Sequence, residues 1–268
     1  MSANLSSDQR FSERVLSDIL KKFKRKYIFL SGKGGVGKTT LSANVGWAKA
    51  KEGFKVGMLD SDLHCPNLGS ALFLKDRVTA DDDGLLVPVK ATDNLLVLTL
   101  QNMLQSESEA VIWRGPRKTK AIFEFLSRTA WPELDYFIID SPAGTGDETL
   151  AVLNAIPEVE AVAVFTGHPM SLSDVSKALD CLNKCNIKVK GLVETFSSII
   201  CPQCGRRTRL FSSQTCKALA TANDLPILAT VPMDPAAGLA ALKLSKPLID
   251  AAPQSPLTLA IKELSEQL

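Results

Sequence analysis

Cysteine and histidine are scarce in this sequence, with six cysteines and two histidines among 268 residues. Six cysteines are too few to hold a chain of this length together as a disulfide scaffold. Two histidines cannot form the histidine-rich tract expected of a nickel-insertion chaperone. The sequence also shows no secretion signal, so we expect a reducing, cytoplasmic compartment. In such a compartment closely spaced cysteines indicate a metal or redox site.

Long hydrophobic runs and an excess of charge of either sign are also missing. No apolar run approaches the roughly 18 residues of a membrane-spanning helix. The N-terminus has no apolar signal core, and Glu13 and Asp18 argue against a transit peptide. Lysine and arginine number 31 against 29 acidic residues, a net charge of +2. This balance predicts neither a nucleic-acid coat nor a membrane-surface protein, and 45% hydrophobic residues are typical of a folded domain.

An amphipathic helix is predicted over residues 8–24, because hydrophobic residues recur at helical spacing opposite a charged side. We expect it to end in a basic run that includes residues 24–26. Two roles stay open for it: docking on the rest of the protein with a solvated basic end, or docking on a membrane surface or partner. The predicted organisation is an N-terminal helix (1–26) followed by one domain (27–268).

From residue 27 onward, short apolar runs alternate with helical patterns, as expected for parallel strands covered on both faces. The predicted strands are Tyr27–Leu30, Lys55–Asp60, Tyr136–Asp140, Ala161–Thr166, Val189–Glu194 and Ile227–Val231. The predicted helices cover about 39–52, 116–129, 147–156, 171–185, 212–223, 235–243 and 256–267. Residues 85–89 and 95–100 indicate an added hairpin. The fold class is therefore α/β, a doubly wound, mostly parallel sheet flanked by helices.

A glycine-rich loop joins the first of these strands to a helix. Its sequence is Gly32-Lys33-Gly34-Gly35-Val36-Gly37-Lys38-Thr39-Thr40, which contains G-x-x-x-x-G-K-[ST]. The glycines let successive backbone N–H groups face a phosphate, and the helix N-terminus adds a favourable potential. We expect Lys38 to reach the β- and γ-phosphates and Thr39 to ligate Mg²⁺. The sequence thus predicts a P-loop NTPase.

Lys33 is the more specific residue of this loop, because an ordinary P-loop does not need a lysine so early. With Lys33, the loop resembles the deviant Walker A loop of the class formed by MinD, ParA and the nitrogenase iron protein. The resemblance implies ATP hydrolysis by a nucleotide-bridged homodimer. It also implies that Lys33 acts on the nucleotide of the partner subunit, while Lys38 binds its own.

Acidic residues follow two of the predicted strands. Asp60 and Asp62 come at the end of the second, and Asp140 ends the third. Since the carboxyl ends of parallel strands face the ligand crevice, we expect all three near the phosphate loop. Asp140, after four apolar residues, is typical of a Walker B residue that holds Mg²⁺. By resemblance, Asp60 helps at the metal and Asp62 orients the attacking water; taken singly, either is equally consistent with a turn or cap.

A C-x-x-C knuckle is formed by Cys201-Pro202-Gln203-Cys204-Gly205. Two thiolates can chelate one soft metal, but they supply only half of a zinc site or a four-cysteine cluster. Cys181 and Cys185 are predicted to pack in the core, and Cys216 lies on another predicted helix. From spacing alone, the knuckle is a redox dithiol, part of a zinc site shared with Cys216, or a half-site completed by a second subunit.

Further segments make the resemblance more specific. They are 111–116 (Val-Ile-Trp-Arg-Gly-Pro), 142–147 (Pro-Ala-Gly-Thr-Gly-Asp) and 191–194 (Gly-Leu-Val-Glu) leading to the knuckle. Over about residues 25–250 the chain resembles the Mrp/ApbC-type ATPases, the iron–sulfur cluster carriers. The resemblance implies that Cys201 and Cys204 of two subunits hold one labile [4Fe–4S] cluster. It implies delivery of that cluster to apo-proteins with ATP as the switch, and as partners a second copy and apo iron–sulfur clients, without nucleic acid or membrane.

The sequence departs from that family at a few positions. Cys65 stands where the family has glycine, and is predicted either as a small buried residue or as a thiol that senses nucleotide or oxidation. Thr195 stands where the family has an asparagine that helps to read adenine. An acidic Gly-Pro segment is replaced by residues 243–247, Lys-Leu-Ser-Lys-Pro. His64 is expected in solvent rather than on a metal.

A second class of function shares the P-loop: a ParA/MinD-like positioning ATPase that acts on DNA or a membrane. The C-x-x-C knuckle favours the cluster carrier. The low net charge and the lack of a basic amphipathic helix at the C-terminus disfavour the positioning ATPase.

Overall fold

The computed structural model describes residues 7–104, 113 and 115–268, with side chains from residue 14 onward. Its helices are α1 (Ser7–Leu20), α2 (Lys38–Lys51), α3 (Leu68–Ala71), α4 (Gly115–Ser127), α5 (Asp147–Ala155), α6 (Pro169–Lys184), α7 (Ser213–Ala222), α8 (Pro235–Leu244), α9 (Leu248–Ala251) and α10 (Pro256–Glu266). Its strands are β1 (Phe23–Ser31), β2 (Val56–Asp60), β3 (Thr79–Ala80), β4 (Leu86–Val87), β5 (Val89–Thr92), β6 (Leu95–Leu98), β7 (Leu134–Ala143), β8 (Glu160–Thr166), β9 (Val189–Ile200), β10 (Arg207–Arg209) and β11 (Ile227–Met233). Among these described elements, no helix is long and apolar enough to cross a membrane.

Nine strands form one sheet in the order β10-β9-β8-β1-β7-β2-β6-β5, with β11 also paired to β9. The pairs along the middle of this sheet, from β9 to β6, are parallel, and β5 and β10 are antiparallel additions at its two ends. The strand that carries the phosphate loop, β1, lies between β7 and β8. All loops that follow the central parallel strands therefore gather at one edge of the sheet.

Helices cover both faces of the sheet, which confirms the predicted doubly wound α/β fold. One hydrophobic core lies beneath α1, α4, α5, α6 and α7, and includes Phe137 and Phe165. The second core lies beneath α2, α8, α9 and α10, and includes Phe29 and Met58. Because both faces are buried, β2 consists of five buried residues in a row.

The predicted hairpin is present, but its first strand is shifted. β5 (Val89–Thr92) and β6 (Leu95–Leu98) form the antiparallel pair, whereas residues 86–87 form β4 in a separate two-stranded sheet with β3. Pro88 separates β4 from β5 and removes a backbone donor, which explains the break in the predicted strand.

The predicted N-terminal helix was too long. It ends at Leu20, and Phe23 already begins β1, in register with Leu134 of β7. The Phe23 ring stacks on Phe137 with centroids 4.4 Å apart and meets Trp131 edge-on. For Phe23, pairing with β7, more than a hundred residues away in sequence, thus prevails over the local helical spacing of hydrophobic residues. Of the two roles left open for the helix, the described part shows docking, since Leu16 and Leu20 are buried in the core beneath α4.

Two strands run beyond their predicted ends, and both extensions matter for the site. β7 continues past Asp140 to Ala143, beside Ser31 at the start of the phosphate loop. β9 continues six residues past Glu194 to Ile200 and ends directly at the C-x-x-C knuckle. One strand, which bulges between Thr195 and Ile199, therefore connects the interior of the sheet to the two cysteines.

Candidate functional site

The phosphate loop follows β1 and opens α2, as the motif requires. Gly35 and Gly37 have φ of 77° and 84°, a left-handed conformation that glycine adopts without a steric penalty. Gly37 is the residue that precedes α2. A cavity at the carboxyl edge of the sheet is lined by Ser31, Gly34, Gly35, Val36, Gly37, Lys38, Thr39, Thr40, Asp62, Asn67 and Ala143. It combines inward backbone N–H groups with a helix N-terminus, the arrangement that binds phosphate.

Gly32 is needed for a different reason. A Cβ atom at this position would lie 2.3 Å from the backbone carbon of Asp174 in α6, a distance that no side chain tolerates. The first residue of the loop therefore packs directly against the α6 backbone. Lys33, the next residue, is exposed on the surface of the loop.

Asp140 lies at the centre of the predicted magnesium site. Lys38 Nζ lies 2.9 Å from its Oδ1, and Ser42 donates to the same oxygen at 3.0 Å. Thr39 Oγ1 donates to Oδ2 at 2.6 Å. Lys38 and Asp140 are both buried, so this ion pair is shielded from water. A hydroxyl and a carboxylate in direct contact form a hard oxygen donor set of the kind that Mg²⁺ prefers.

Asp60 lies beside Asp140 on the neighbouring strand, but its oxygens are used by the protein itself. Oδ1 accepts from the backbone N–H of Asp62, and Oδ2 accepts from Leu68 N–H and the Thr99 hydroxyl, each at 3.1 Å. Burial, followed by the charge of Asp140, raises the pKa of Asp60 to about 7. The structure thus gives Asp60 a clear part in shaping the loop after β2.

Asp62 lines the phosphate cavity, where the motif predicts it. Its Oδ1 accepts backbone N–H bonds from His64 at 3.3 Å and Cys65 at 3.0 Å, which closes a tight turn. The interpretation of Cys65 as a small buried residue was wrong, because Cys65 is exposed. Whether its thiol senses nucleotide or oxidation stays a prediction.

A link between two loops of the site escaped the sequence analysis. His64 Nδ1 lies 3.3 Å from Glu148 Oε1 at the start of α5, and Lys118 Nζ of α4 lies 2.8 Å from the same oxygen. Burial pushes the pKa of Glu148 upward, but the hydrogen bond and charge of Lys118 prevail and hold it below its usual value. Glu148 thus joins the loop after β2 to the helix after β7. His64 is exposed, as expected, and it also contacts Glu148.

The cysteine knuckle is the turn of the β9–β10 hairpin. Cys201 N–H donates to Arg206 O at 3.0 Å, and Gly205 N–H donates to Cys201 O at 2.9 Å. Gly205 completes the turn with φ of 70°. Cys201 is half-buried and Cys204 is exposed. Both thiols therefore belong to one short turn at the surface.

The thiols of the chain differ in ionisation. Hydrogen bonds from the backbone N–H groups of Cys204 and Gln203 lower the pKa of Cys201. Burial, followed by the charge of Glu194, raises the pKa of Cys216 to about 11. Burial also raises the pKa of Cys181. The knuckle is therefore the place where a thiolate is favoured, which is the form that binds metal.

The other cysteines do not join the knuckle. Among the described residues there is no group of three or more histidine, cysteine, aspartate or glutamate side chains that could hold a metal ion. The zinc site shared with Cys216, one of the alternatives left by the spacing, is therefore absent from the described part of the chain. Cys181 and Cys185 are half-buried on α6, so the prediction that both pack in the core was wrong.

Alkylation should distinguish Cys201 from Cys216. At pH 7, iodoacetamide is expected to modify Cys201 more than about a hundredfold faster than Cys216, because the pKa of Cys201 is lowered, that of Cys216 is raised to about 11, and each pKa unit changes the thiolate fraction about tenfold. Peptide mass spectrometry on a time course would measure both rates. In denaturant the two rates should converge; equal rates in the folded protein would contradict the assignment.

The knuckle strand also touches the phosphate loop. The Thr195 hydroxyl lies 2.7 Å from Val36 O and 3.0 Å from Phe165 O, and Thr195 is buried. Phe196 follows with φ of 51°, an unusual conformation for an aromatic residue. Its ring faces Gly37, where a Cβ would lie 3.6 Å from it. In this structure Thr195 therefore holds the phosphate loop.

Comparisons with known proteins agree with this geometry. The family model of the NUBPL iron-transfer P-loop NTPases matches residues 22–268. A relative from Drosophila erecta, a cytosolic Fe-S cluster assembly factor Nubp2 homologue, is 39% identical over 255 residues, which are 93% of this chain and 98% of the relative. A Nubp2 homologue of the same description from Anopheles gambiae is 41% identical over 225 residues, 82% and 87% of the two chains.

Solved structures show the same fold. A nucleotide-binding protein from Archaeoglobus fulgidus, determined in complex with ADP, aligns with a TM-score of 0.75 and 32% identity over 91% of this chain and 95% of that one. The cell division ATPase MinD from Pyrococcus furiosus aligns with a TM-score of 0.64 and 25% identity over 91% and 98%.

Proposed function

This chain belongs to the NUBPL-type iron-transfer P-loop NTPases, and from that membership we propose that it is an ATP-dependent iron–sulfur cluster carrier. It holds a labile [4Fe–4S] cluster as cargo and delivers it to apo-proteins. The observation that carries this proposal is the knuckle: a favoured thiolate at Cys201 and an exposed thiol at Cys204, on a strand that also contacts the phosphate loop.

Counting thiolates supports a two-subunit cluster site. A [4Fe–4S] cluster takes four cysteine ligands, and the knuckle offers two. A two-fold axis through the knuckle doubles them, because an isologous interface repeats the same patch on both subunits. The protein is therefore a homodimer when loaded, with about two irons per chain. Cargo held between two surface turns is easily released, which suits a carrier.

The nucleotide site supplies the switch. The phosphate loop and Lys38 bind the triphosphate, and Thr39, Asp140 and Asp60 are the residues that would hold Mg²⁺. Bound Mg²⁺ would neutralise charge on the β- and γ-phosphates. Asp62 orients the attacking water through Oδ2, since Oδ1 closes the turn at His64 and Cys65. Turnover is slow, because a switch that persists during cluster exchange gains nothing from fast hydrolysis.

The names of the relatives place their activity in the cytosol, and we assign this chain to the same compartment. The alternative, a positioning ATPase of the ParA/MinD type, shares the fold but does not explain the cysteine knuckle. Apo iron–sulfur proteins are accordingly the clients, and neither DNA nor a membrane is required.

The proposal is tested by cluster transfer. The full chain is reconstituted anaerobically with iron and sulfide, and its iron content, visible spectrum and sedimentation are measured. About two irons per chain in a dimer are expected, followed by activation of an apo-[4Fe–4S] enzyme at a rate that changes with Mg-ATP. A chain that binds no iron under these conditions would overturn the carrier function.

Lys33 provides a separate prediction about the second subunit. Replacing Lys33 by alanine should leave Mg-ATP affinity within about twofold, because Lys33 is exposed and acts on the partner's nucleotide. Hydrolysis should fall by at least about tenfold, since one charge facing the γ-phosphate in the transition state is lost. Calorimetry and a phosphate-release assay measure the two effects. Equal loss of affinity in Lys33→Ala and Lys38→Ala would rule out action across the dimer.

A further inference from the structure

The knuckle and the phosphate loop are connected by one short stretch of β9. Glu194, Thr195 and Phe196 are consecutive, and Cys201 lies five residues beyond Phe196. At about 3.3 Å per strand residue, the phosphate-loop contact and the first cysteine are at most roughly 16 Å apart. β9 bulges between Thr195 and Ile199, where its pairing with β11 shifts register, but residues 198–200 stay paired with β10. A displacement at Phe196 therefore has a short route along β9 to Cys201.

The contacts at the inner end of this stretch are specific. Thr195 is hydrogen-bonded to the carbonyl of Val36, and the Phe196 ring lies over Gly37. The positive φ of Phe196 is a strained conformation that persists only where the surroundings fix it. The strand is therefore fitted to the conformation of the two loop residues that precede Lys38.

The returning half of the hairpin has its own anchor. Arg209 is the last residue of β10, and its guanidinium lies 3.4 Å from Glu194 Oε2. Arg209 Nε also donates to Phe211 O at 2.9 Å. Phe211 in turn packs edge-on against His168 in the turn between β8 and α6. Arg209 and Phe211 thus hold the return segment at the level of the phosphate-loop contacts.

At this buried position, the carboxylate of Glu194 has a desolvation cost that stability alone does not justify. Its side chain is 1% exposed, yet Oε1 has no hydrogen-bond partner among the described residues. Oε1 points toward Gly167, where an added Cβ would come within 2.9 Å of it. Burial raises the pKa of Glu194, and the charge of Arg209, followed by a hydrogen bond from the Cys216 thiol, opposes that shift. A buried ion pair with one unpartnered oxygen contributes little net stability, so its value lies in fixing a geometry.

We propose that the Glu194–Arg209 ion pair is a positioning brace that makes the cysteine knuckle follow the phosphate loop. The brace ties β10 to Glu194, next to the residues of β9 that contact the phosphate loop. Both strands of the hairpin, and the cysteine knuckle between them, therefore move together when nucleotide changes the phosphate loop. Without the brace, the return segment keeps its backbone pairing with residues 197–200 but loses its side-chain tie to Glu194, and the knuckle loses its dependence on nucleotide. The inference rests on the proposed function, since it assigns how ATP reaches the cargo site.

Arg207 offers a matched control on the same strand. Its guanidinium donates to the hydroxyl of Ser198, which lies diagonally across the hairpin because Arg207 itself pairs with Ile200, and it does not reach Glu194. Glu194→Gln and Arg209→Gln remove the brace, and Arg207→Gln removes an equal charge from the same strand while leaving the brace intact. Arg209 is half exposed, so its variant is expected to fold even if Glu194→Gln does not.

Amide hydrogen exchange of the full, cluster-free chain tests the brace. In the wild type, Mg-ATP is expected to change the exchange of residues 201–206 as well as that of residues 32–40. Arg209→Gln and Glu194→Gln should lose the change at 201–206 and keep protection at 32–40, which also reports a folded nucleotide site. Arg207→Gln should behave as the wild type does.

Two outcomes would overturn the brace. One is that Mg-ATP does not change the exchange of residues 201–206 in the wild type. The other is that Arg207→Gln loses this change as fully as Arg209→Gln does. If Glu194→Gln does not fold, the two arginine variants decide. Iron binding by the wild type is measured separately. A wild-type chain in which Mg-ATP changes exchange at residues 201–206 but which binds no iron would refute the carrier function and support the brace. A chain that binds iron but shows no such change would refute the brace and support the carrier function.

Discussion

The double substitution Cys201→Ala with Cys204→Ala is expected to abolish the [4Fe–4S] chromophore and lower bound iron from about two per chain to near zero. The physical reason is that the described residues offer no other set of ligands for the cluster. The described residues hold no group of three or more histidine, cysteine, aspartate or glutamate side chains that could hold a metal ion, and Cys216 is a buried thiol whose pKa is raised to about 11. Cluster-dependent dimers should disappear with the chromophore in sedimentation experiments.

Cys181 and Cys185 supply the matched control for this experiment. They are also two free thiols with partial exposure, but they lie four residues apart on α6. Cys181→Ala with Cys185→Ala should keep the full cluster and the dimer. Retention of a full cluster by the Cys201/Cys204 variant would reduce the knuckle to a structural turn, and the carrier function would have to be abandoned.

Lys38→Ala is expected to weaken Mg-ATP binding by at least about a hundredfold, measured by calorimetry. The ammonium that faces the phosphates is lost, and charge-assisted hydrogen bonds of this kind are among the strongest in proteins. Separately, removing one partner of a buried ion pair costs about 3–5 kcal/mol of folding stability. The cluster-free, nucleotide-free protein should also melt at a lower temperature, because Asp140 would keep only the hydroxyls of Thr39 and Ser42 beside the neighbouring Asp60.

Lys33→Ala serves as the control for Lys38→Ala, because it removes the other lysine of the same loop from an exposed position. Its affinity and melting temperature should stay close to those of the wild type. Tight binding of Mg-ATP to folded Lys38→Ala would contradict the role given to Lys38. Iron binding by Lys38→Ala is expected to persist, since the knuckle ligands are unchanged.

Local patterns were sufficient for much of the fold and for the phosphate loop. The loop motif follows from chemistry within nine consecutive residues, and Asp140 from an apolar strand that ends in a carboxylate. The same is true of the knuckle turn, which Gly205 closes with a positive φ. Each of these features depends on neighbours in sequence, so spacing alone predicts it.

The contacts that were missed join distant parts of the chain. Glu148 binds His64 and Lys118, and Glu194 binds Arg209 across the hairpin. No periodicity marks such pairs, because an acidic residue on a helix or strand has the same local pattern with or without a partner. The end of α1 was predicted too late for the same reason. Phe23 belongs to β1 because its ring stacks on that of Phe137, and the two rings meet only in the folded chain.

The short strand β10 has a consequence for how two copies separate. It is an edge strand of three exposed residues, two of them arginines, and Arg206 precedes it. A brief, positively charged edge resists pairing with the edge of another sheet. In the proposed dimer, two chains that meet at their knuckles would therefore gain no continuous β-ladder, and the bonds to the cargo would hold the two knuckles together. Loss of the cargo would leave like charges facing one another, so we expect this contact to open when the cluster is delivered.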